Sequence, residues 1–385
     1  MMNEALKNVD NIMKKCVLND EKYNLHYYSG YTYKTLYDWD QYFEGIAQLH
    51  MGWGTDHIKN GVLIFLNNQK ENGFIPRAIS YGHSENEEFF EHIKPFLAQI
   101  TLLCFNYDKN INWLTIDYYE KLKKYLDYWL NDCSKNNNGL SFWRSGAHTG
   151  MDTQHERAGH WKDDFCEGVD LNTYIYRECL ALSKIAQILN KHSDFEKYIE
   201  KAQIIKNAIL GLWNEDDKIF YDRNAKTGEI IKVKSISCFM PIWAEIASAE
   251  QVKDMIYKHL LNSNEFWRPF ILPALSADEK GYSEVKLEDD VGCNWRANVW
   301  VPSNYCLMHG LNSYGYIEIA KFIAYKTKEL IDKNGEREYY TSESGIGQGL
   351  SEFGGWSILG HFMQYECENN INLTKLSVIE GRKNI

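Results

Sequence analysis

The chain has 385 residues, with 42 Lys+Arg against 53 Asp+Glu and a formal net charge of -11. That balance disfavours nucleic acid and anionic membranes as partners, because both bind basic surface. The longest apolar run, residues 61–66, falls far short of the roughly 20 residues a membrane helix needs.

The start, MMNEALKNVDNIMKKC, has no apolar signal core. Nine cysteines without a CxxC pair argue for reduced thiols, not a disulfide framework or a zinc ribbon. The expectation is a soluble cytoplasmic protein without a cofactor. Aromatic residues are abundant, with 12 Trp, 26 Tyr and 17 Phe. Tyr and Trp carry a flat apolar face and a polar tip, which suits a wide, wet, stacking cleft. Most of them still belong to core packing.

In chain order, apolar periods of three and four predict helices at about 39–51, 56–67 and 92–106, then a longer one over 111–130. Leu171, Ile175, Cys179, Leu182, Ile185 and Leu189 mark the next, and Tyr198, Ala202, Ile205, Ile209 and Leu212 the one after. Shorter helices are expected at 239–247, 250–261 and 302–311. Tyr316, Ile319, Ala320, Ile323, Thr327 and Leu330 mark another long one, and 355–365 the last. Strand signals are sparse. No linker or like-charge block divides the chain, so 1–385 reads as a single all-α domain. An α-solenoid would show a repeat of fixed period, and none recurs. The irregular segments 70–91, 140–168, 262–300 and 336–354 look like loops gathered at one end of a closed helical double ring.

The distinctive residues fall in or beside those segments. They are Tyr37-Asp38-Trp39-Asp40-Gln41-Tyr42-Phe43 and NQKENGFIP (68–76), then TGMDTQHER (149–157) followed by VDLN (169–172), CNWRANVW (293–300) running on to Asn304-Tyr305, and EYYTSESG (338–345), with GGWS at 354–357. Carboxylates, amides, Arg and indoles interleaved in this way suit sugar recognition: hydroxyls need bidentate partners and the ring needs a flat face to stack on. These motifs, in this order over nearly the whole chain, resemble those of the trehalase-like (α/α)6-barrel glycoside hydrolases. Those comprise families 37 and 63 and the bacterial mannosylglycerate and glucosylglycerate hydrolase group.

The resemblance implies an inverting, exo-acting α-glycosidase built on one (α/α)6 barrel. Its substrate would be a small α-glucoside or α-mannoside, a disaccharide or a glycosyl-glycerate. It also implies that Asp152 is the general acid and Glu338 the general base, about 6.5–9.5 Å apart to admit a water. Glu336, Glu343 and Glu352 compete for the base assignment; Glu338 keeps the family's offsets to the Tyr and Ser-Gly that follow it. Tyr37, Trp39, Asp40 and Phe43 would line the subsite of the released sugar, with Gln69 and Gln99 as further hydroxyl ligands. Caps on backbone groups are nearly as good a reading of those two amides. Arg157, Arg296, Trp300 and Trp356 would complete the pocket.

The sequence also departs from the family pattern. Ala297 and Asn298 replace the usual Gly and Pro. His148, His155 and His160 lie near Asp163, Asp164 and Cys166, but in no zinc spacing; a polar loop over the cleft is the better reading, and no metal is expected. Arg77, Tyr81 and His83 are leaving-group candidates by position only. The rival readings are a sugar epimerase on the same barrel, which would use paired histidines, a non-catalytic carbohydrate-binding protein, which would not need two carboxylates, and a helical repeat protein that binds peptides, which would have an open groove. The sequence leaves the oligomeric state open.

Overall fold

The computed structural model describes residues 4–31, 35–80, 91–159, 165–288, 290 and 292–377. It separates into two compact units, one of residues 1–132, 174–204 and 372–385, the other of 133–173 and 205–371. No helix among the described residues is long and apolar enough to cross a membrane.

In the first unit two kinds of helix pack together. Asp40–His50 and Leu97–Asp108 are buried nearly all round, as expected of helices inside a core. Glu4–Lys15 and Ile116–Asn131 bury only one stripe, Val9, Ile12 and Met13 in the former and Tyr119, Leu122, Tyr125, Leu126 and Trp129 in the latter. Thr115 caps the latter, its hydroxyl accepting from the Tyr118 N–H. The Leu97 helix starts later than the apolar pattern predicts. Pro95 keeps residue 94 out of the helical region and gives no N–H of its own.

In the second unit Val301–Ser313 is the all-round buried helix, opened by Pro302 near its first turn. The amphipathic Ile317–Asn334 packs on it, burying Ala320, Ile323, Ala324, Thr327, Leu330 and Ile331. The predicted 239–247 helix shrinks to a 3-10 turn and Met240–Trp243, because Glu245 adopts a left-handed φ of 55°. The predicted 355–365 helix is likewise split, into a 3-10 turn Trp356–His361 and the helix Met363–Asn369.

The expected loop 336–354 contains a hairpin. Arg337–Thr341 pairs antiparallel with Gly347–Ser351, and Asn298–Val299 pairs with the outer side of the first strand. The register slips between Arg337 and Tyr339, so the irregularity falls at Glu338. Bulges of this kind re-aim a side chain beside a site.

Candidate active site

Asp152 and Glu338, distant in sequence, converge in the second unit on one residue, Cys293. The backbone N–H of Cys293 donates to Asp152 Oδ2 at 2.9 Å. Its thiol donates to Glu338 Oε1 at 3.1 Å. The second Glu338 oxygen accepts from the Leu350 N–H at 3.3 Å, across the hairpin. Both close approaches depend on glycines in the left-handed region. A Cβ at Gly292 (φ 77°) would stand 2.4 Å from Asp152 Oδ2, and one at Gly349 (φ 67°) 2.4 Å from Glu338 Oε2. Only a residue without Cβ fits there.

Electrostatics follow from this geometry. Burial, reinforced by the Asp152 charge, raises the Glu338 carboxyl above its ordinary range, while the Cys293 and Leu350 hydrogen bonds and Lys286 oppose the rise. Burial and the two carboxylates push the Cys293 thiol up as well, so it stays protonated and can donate. Lys286 lines a cavity of about 420 Å³ together with Asn294, Tyr339, Thr341, Ile346 and Gln348.

The segment that carries Cys293 is rigid. Trp295 and Trp300 stack at 3.8 Å with 6° between their planes, and Tyr339 stacks on the other face of the array at 4.6 Å from Trp300. The Trp300 indole N–H and the Asn298 side-chain amide both donate to the Asn294 carbonyl. The Trp356 indole N–H holds the carbonyl of Glu338 itself at 2.8 Å. Trp300 and Trp356 are 1% and 3% exposed. Both indoles are thus buried, and Trp356 holds the Glu338 main chain in place, where a sugar wall was expected of the pair.

Arg157 also departs from expectation. Its guanidinium is wholly buried and paired with Asp170 and Asp222. Asp222 also accepts from the Val169 N–H, and Asp170 from the Trp143 indole. These partners make Arg157 a brace under the 146–158 turns, leaving no open donor pair for a sugar. Arg296 is buried too, with one nitrogen on Asp290 at 2.8 Å, while its Nε is buried without a partner.

The competing glutamates have other partners. Glu343 takes a bidentate contact from Arg268 and a hydrogen bond from Tyr282, and the Arg268 contact lowers its pKa. Glu336 pairs with His361, and Glu352 is exposed. In the His-rich segment, His148 packs edge-on against Trp143 and His155 lies 3.4 Å from Asp290. His160, Asp163 and Asp164 lie outside the described residues. Among the described residues no group of three or more His, Cys, Asp or Glu could hold a metal.

Within the first unit, Trp39 and Phe43 meet edge-on at 6.1 Å, and Tyr37 meets Tyr31 at 5.1 Å. Asp40 is buried and its Oδ1 has no protein partner. Burial and neighbouring Asp38 push Asp40 up to about 7, against the pull of Lys94. Lys94 is itself buried, 3.1 Å from Asp38 and over the Trp39 ring. Gln69 donates to the carbonyls of Lys121 and Gly73. Gln99 donates to the Pro95 carbonyl and accepts from Arg177. Both amides are thus engaged by protein, the capping role that was the alternative. Arg77 pairs with Glu91; Tyr81 and His83 lie outside the described residues.

Cys293 heads the CNWRANVW cluster in the sequence, but no role could be read for it there, since a single cysteine carries no motif. Sequence reading missed the buried Asp38–Lys94 pair, although Asp38 stands inside the quoted YDWD cluster.

Two carboxyl groups tied to one loop, on a helix-rich scaffold, make a pair of the kind that glycoside hydrolases employ. Comparison with known proteins agrees: residues 33–357 match the family described as mannosylglycerate hydrolase MGH1-like glycoside hydrolase domain, and the chain belongs to that family. It is 24% identical over 193 residues to a mannosylglycerate hydrolase of Thermus thermophilus, covering 49% of this chain and 43% of that protein. It is 27% identical over 189 residues to a cytosolic neutral trehalase of Kluyveromyces lactis, covering 43% and 24%. The chain thus spans less than half the length of these curated relatives. Among solved structures it resembles a GH63 mannosylglycerate hydrolase from Thermus thermophilus in complex with glucose, at a TM-score of 0.76 and 16% identity. That match covers 94% of this chain and 99% of the other, a likeness of fold.

Proposed function

We propose that the protein is an inverting, exo-acting α-glycosidase that cleaves a small α-glucoside or α-mannoside, a disaccharide or glycosyl-glycerate. Asp152 protonates the leaving oxygen, and Glu338 takes a proton from the attacking water. The observation that carries this reading is the convergence of both carboxyl groups on Cys293. Within reach of one cysteine, their nearest oxygens lie no more than about 10 Å apart, a limit that accommodates the separation of about 6.5–9.5 Å used by inverting hydrolases. Asp40, with its open buried oxygen, is the hydroxyl ligand in this scheme. Trp39 and Phe43 are the apolar wall.

The architecture we infer is the (α/α)6 barrel, with 1–385 forming one domain; the unbroken family match over 33–357 supports it. A cytoplasmic location belongs to the same reading, in keeping with cysteines that are not joined in disulfides.

The test is a hydrolysis panel of trehalose, kojibiose, maltose, isomaltose, glucosylglycerate and mannosylglycerate, with NMR of the first-formed anomer. Inversion is expected. A retained anomer, or full activity in Asp152→Asn or Glu338→Gln, would sink the scheme.

A further inference from the structure

The contacts of Cys293 point beyond the two carboxylates themselves. Of the nine cysteines, eight are buried and Cys293 alone is partly accessible. Its main chain and side chain divide their labour, the N–H reaching Asp152 Oδ2 and the thiol reaching Glu338 Oε1. With Leu350 on the other oxygen, Glu338 receives one donor on each side. Of the charged groups that act on this carboxyl, Asp152 raises it and Lys286 lowers it, while the Cys293 thiol acts as a neutral donor.

We propose, resting on the reading of Glu338 as general base, that Cys293 is a positioning residue that orients the Glu338 carboxylate through its thiol while fixing Asp152 through its backbone. A thiol is a weak donor. It can hold the carboxylate in one rotamer and favour ionisation without withdrawing the basicity the oxygen needs to take a proton from water. A hydroxyl in its place would donate more strongly. A methyl group would leave Oε1 buried with no donor, and burial would raise the carboxyl further. The thiol itself is held in its neutral form by the same two carboxylates, so it acts as a donor and not as a nucleophile.

Two measurements test this, the first on a glycoside that the panel shows to be cleaved. In Cys293→Ala the acidic limb of kcat, which is free of the Asp40 effect on KM, should move up by about half to one pH unit. Its kcat should fall roughly 5- to 20-fold, part of what a general base contributes, with KM changed less than about twofold. Cys293→Ser keeps a donor and should return the limb to or below its original place. An unmoved limb in Cys293→Ala, or equal losses in both variants without a shift, overturns the proposal, because the residue would then only fill space.

The second measurement needs no substrate. Iodoacetamide labelling of Cys293, followed by peptide mass spectrometry, should accelerate at least about threefold at pH 8.5 in Glu338→Gln, since removing the anion frees the thiol to ionise. Unchanged labelling there overturns the proposal as well. The two failures are distinguishable. An inactive Glu338→Gln with an unmoved Cys293→Ala limb rejects the role of Cys293 alone. A fully active Glu338→Gln rejects the base reading and the positioning role with it.

Discussion

Replacing Arg157 by leucine gives the most direct test of the packing beneath the site. The guanidinium has no exposed surface, and its partners Asp170 and Asp222 have 0% and 3%. Leucine approximates the volume of the side-chain stem but leaves two buried carboxylates without a counter-charge. Removing one partner of a buried ion pair costs about 3–5 kcal/mol, and here two acids are stranded by one change. The penalty depends on pH with a definite sign. Burial already holds Asp222 above its ordinary range, with Arg157 opposing. Without Arg157 the folded-state pKa of Asp222 rises further above its unfolded value. The cost is then fully present above that raised value and relieved as pH falls through it.

Urea unfolding followed by tryptophan fluorescence at pH 7.5 and pH 5 reads both quantities. The expected loss is at least about 3 kcal/mol at pH 7.5 and smaller at pH 5, with part recovered at pH 7.5 by adding Asp222→Asn. A loss below about 1 kcal/mol, or one equal at both pH values, would refute the account of Arg157 as a buried counter-ion.

Three further outcomes follow from the geometry. Glu338→Gln should lower kcat by about 10²- to 10⁴-fold. In the wild type the acidic limb should lie above the ordinary glutamate value, because burial raises the folded pKa and activity falls as pH drops through it; a limb at or below 4.5 would contradict this. Asp40→Asn should raise KM by about 10- to 100-fold, the worth of a hydrogen bond to a charged group. Wild-type KM should also climb as pH falls below about 7, where Asp40 protonates, a dependence the variant should lose. Gly292→Ala places a Cβ against Asp152, and displacing the acid by about 1 Å should cost about 10²-fold in kcat. Circular dichroism of that variant should keep its helical signal.

What could be read from the sequence was decided by how far each signal extends along the chain. The Ile116–Asn131 and Ile317–Asn334 helices carry six buried positions each, most at steps of three or four, so the period is visible without the fold. Glu4–Lys15 carries the same signal in Val9, Ile12 and Met13, but three positions among many charged ones do not stand out. The strands are two to five residues long, too short for alternation to register. The hairpin bearing Glu338 therefore read as loop. At the site, Asp152 and Glu338 stood out through their flanking residues. Arg157 shows the limit: Asp170 stands in the same quoted cluster, but Asp222 comes from a separate segment, and nothing local announces that the two acids claim it. Trp300 and Trp356 were legible as important, but only three-dimensional packing tells a brace from a wall.

The loop from Asn294 to Trp300 has a consequence for how such a protein can diversify. It closes on itself through the Asn294 carbonyl and the stacked indoles, and the residue leading into it touches both carboxyl groups. Asp152 and Glu338 are therefore mounted on a common fixture, and a displacement of that fixture acts on both of them. Substitutions within the loop disturb both at once, so changes of preference are expected to accumulate elsewhere, in the exposed stretch 285–288 that borders the cavity.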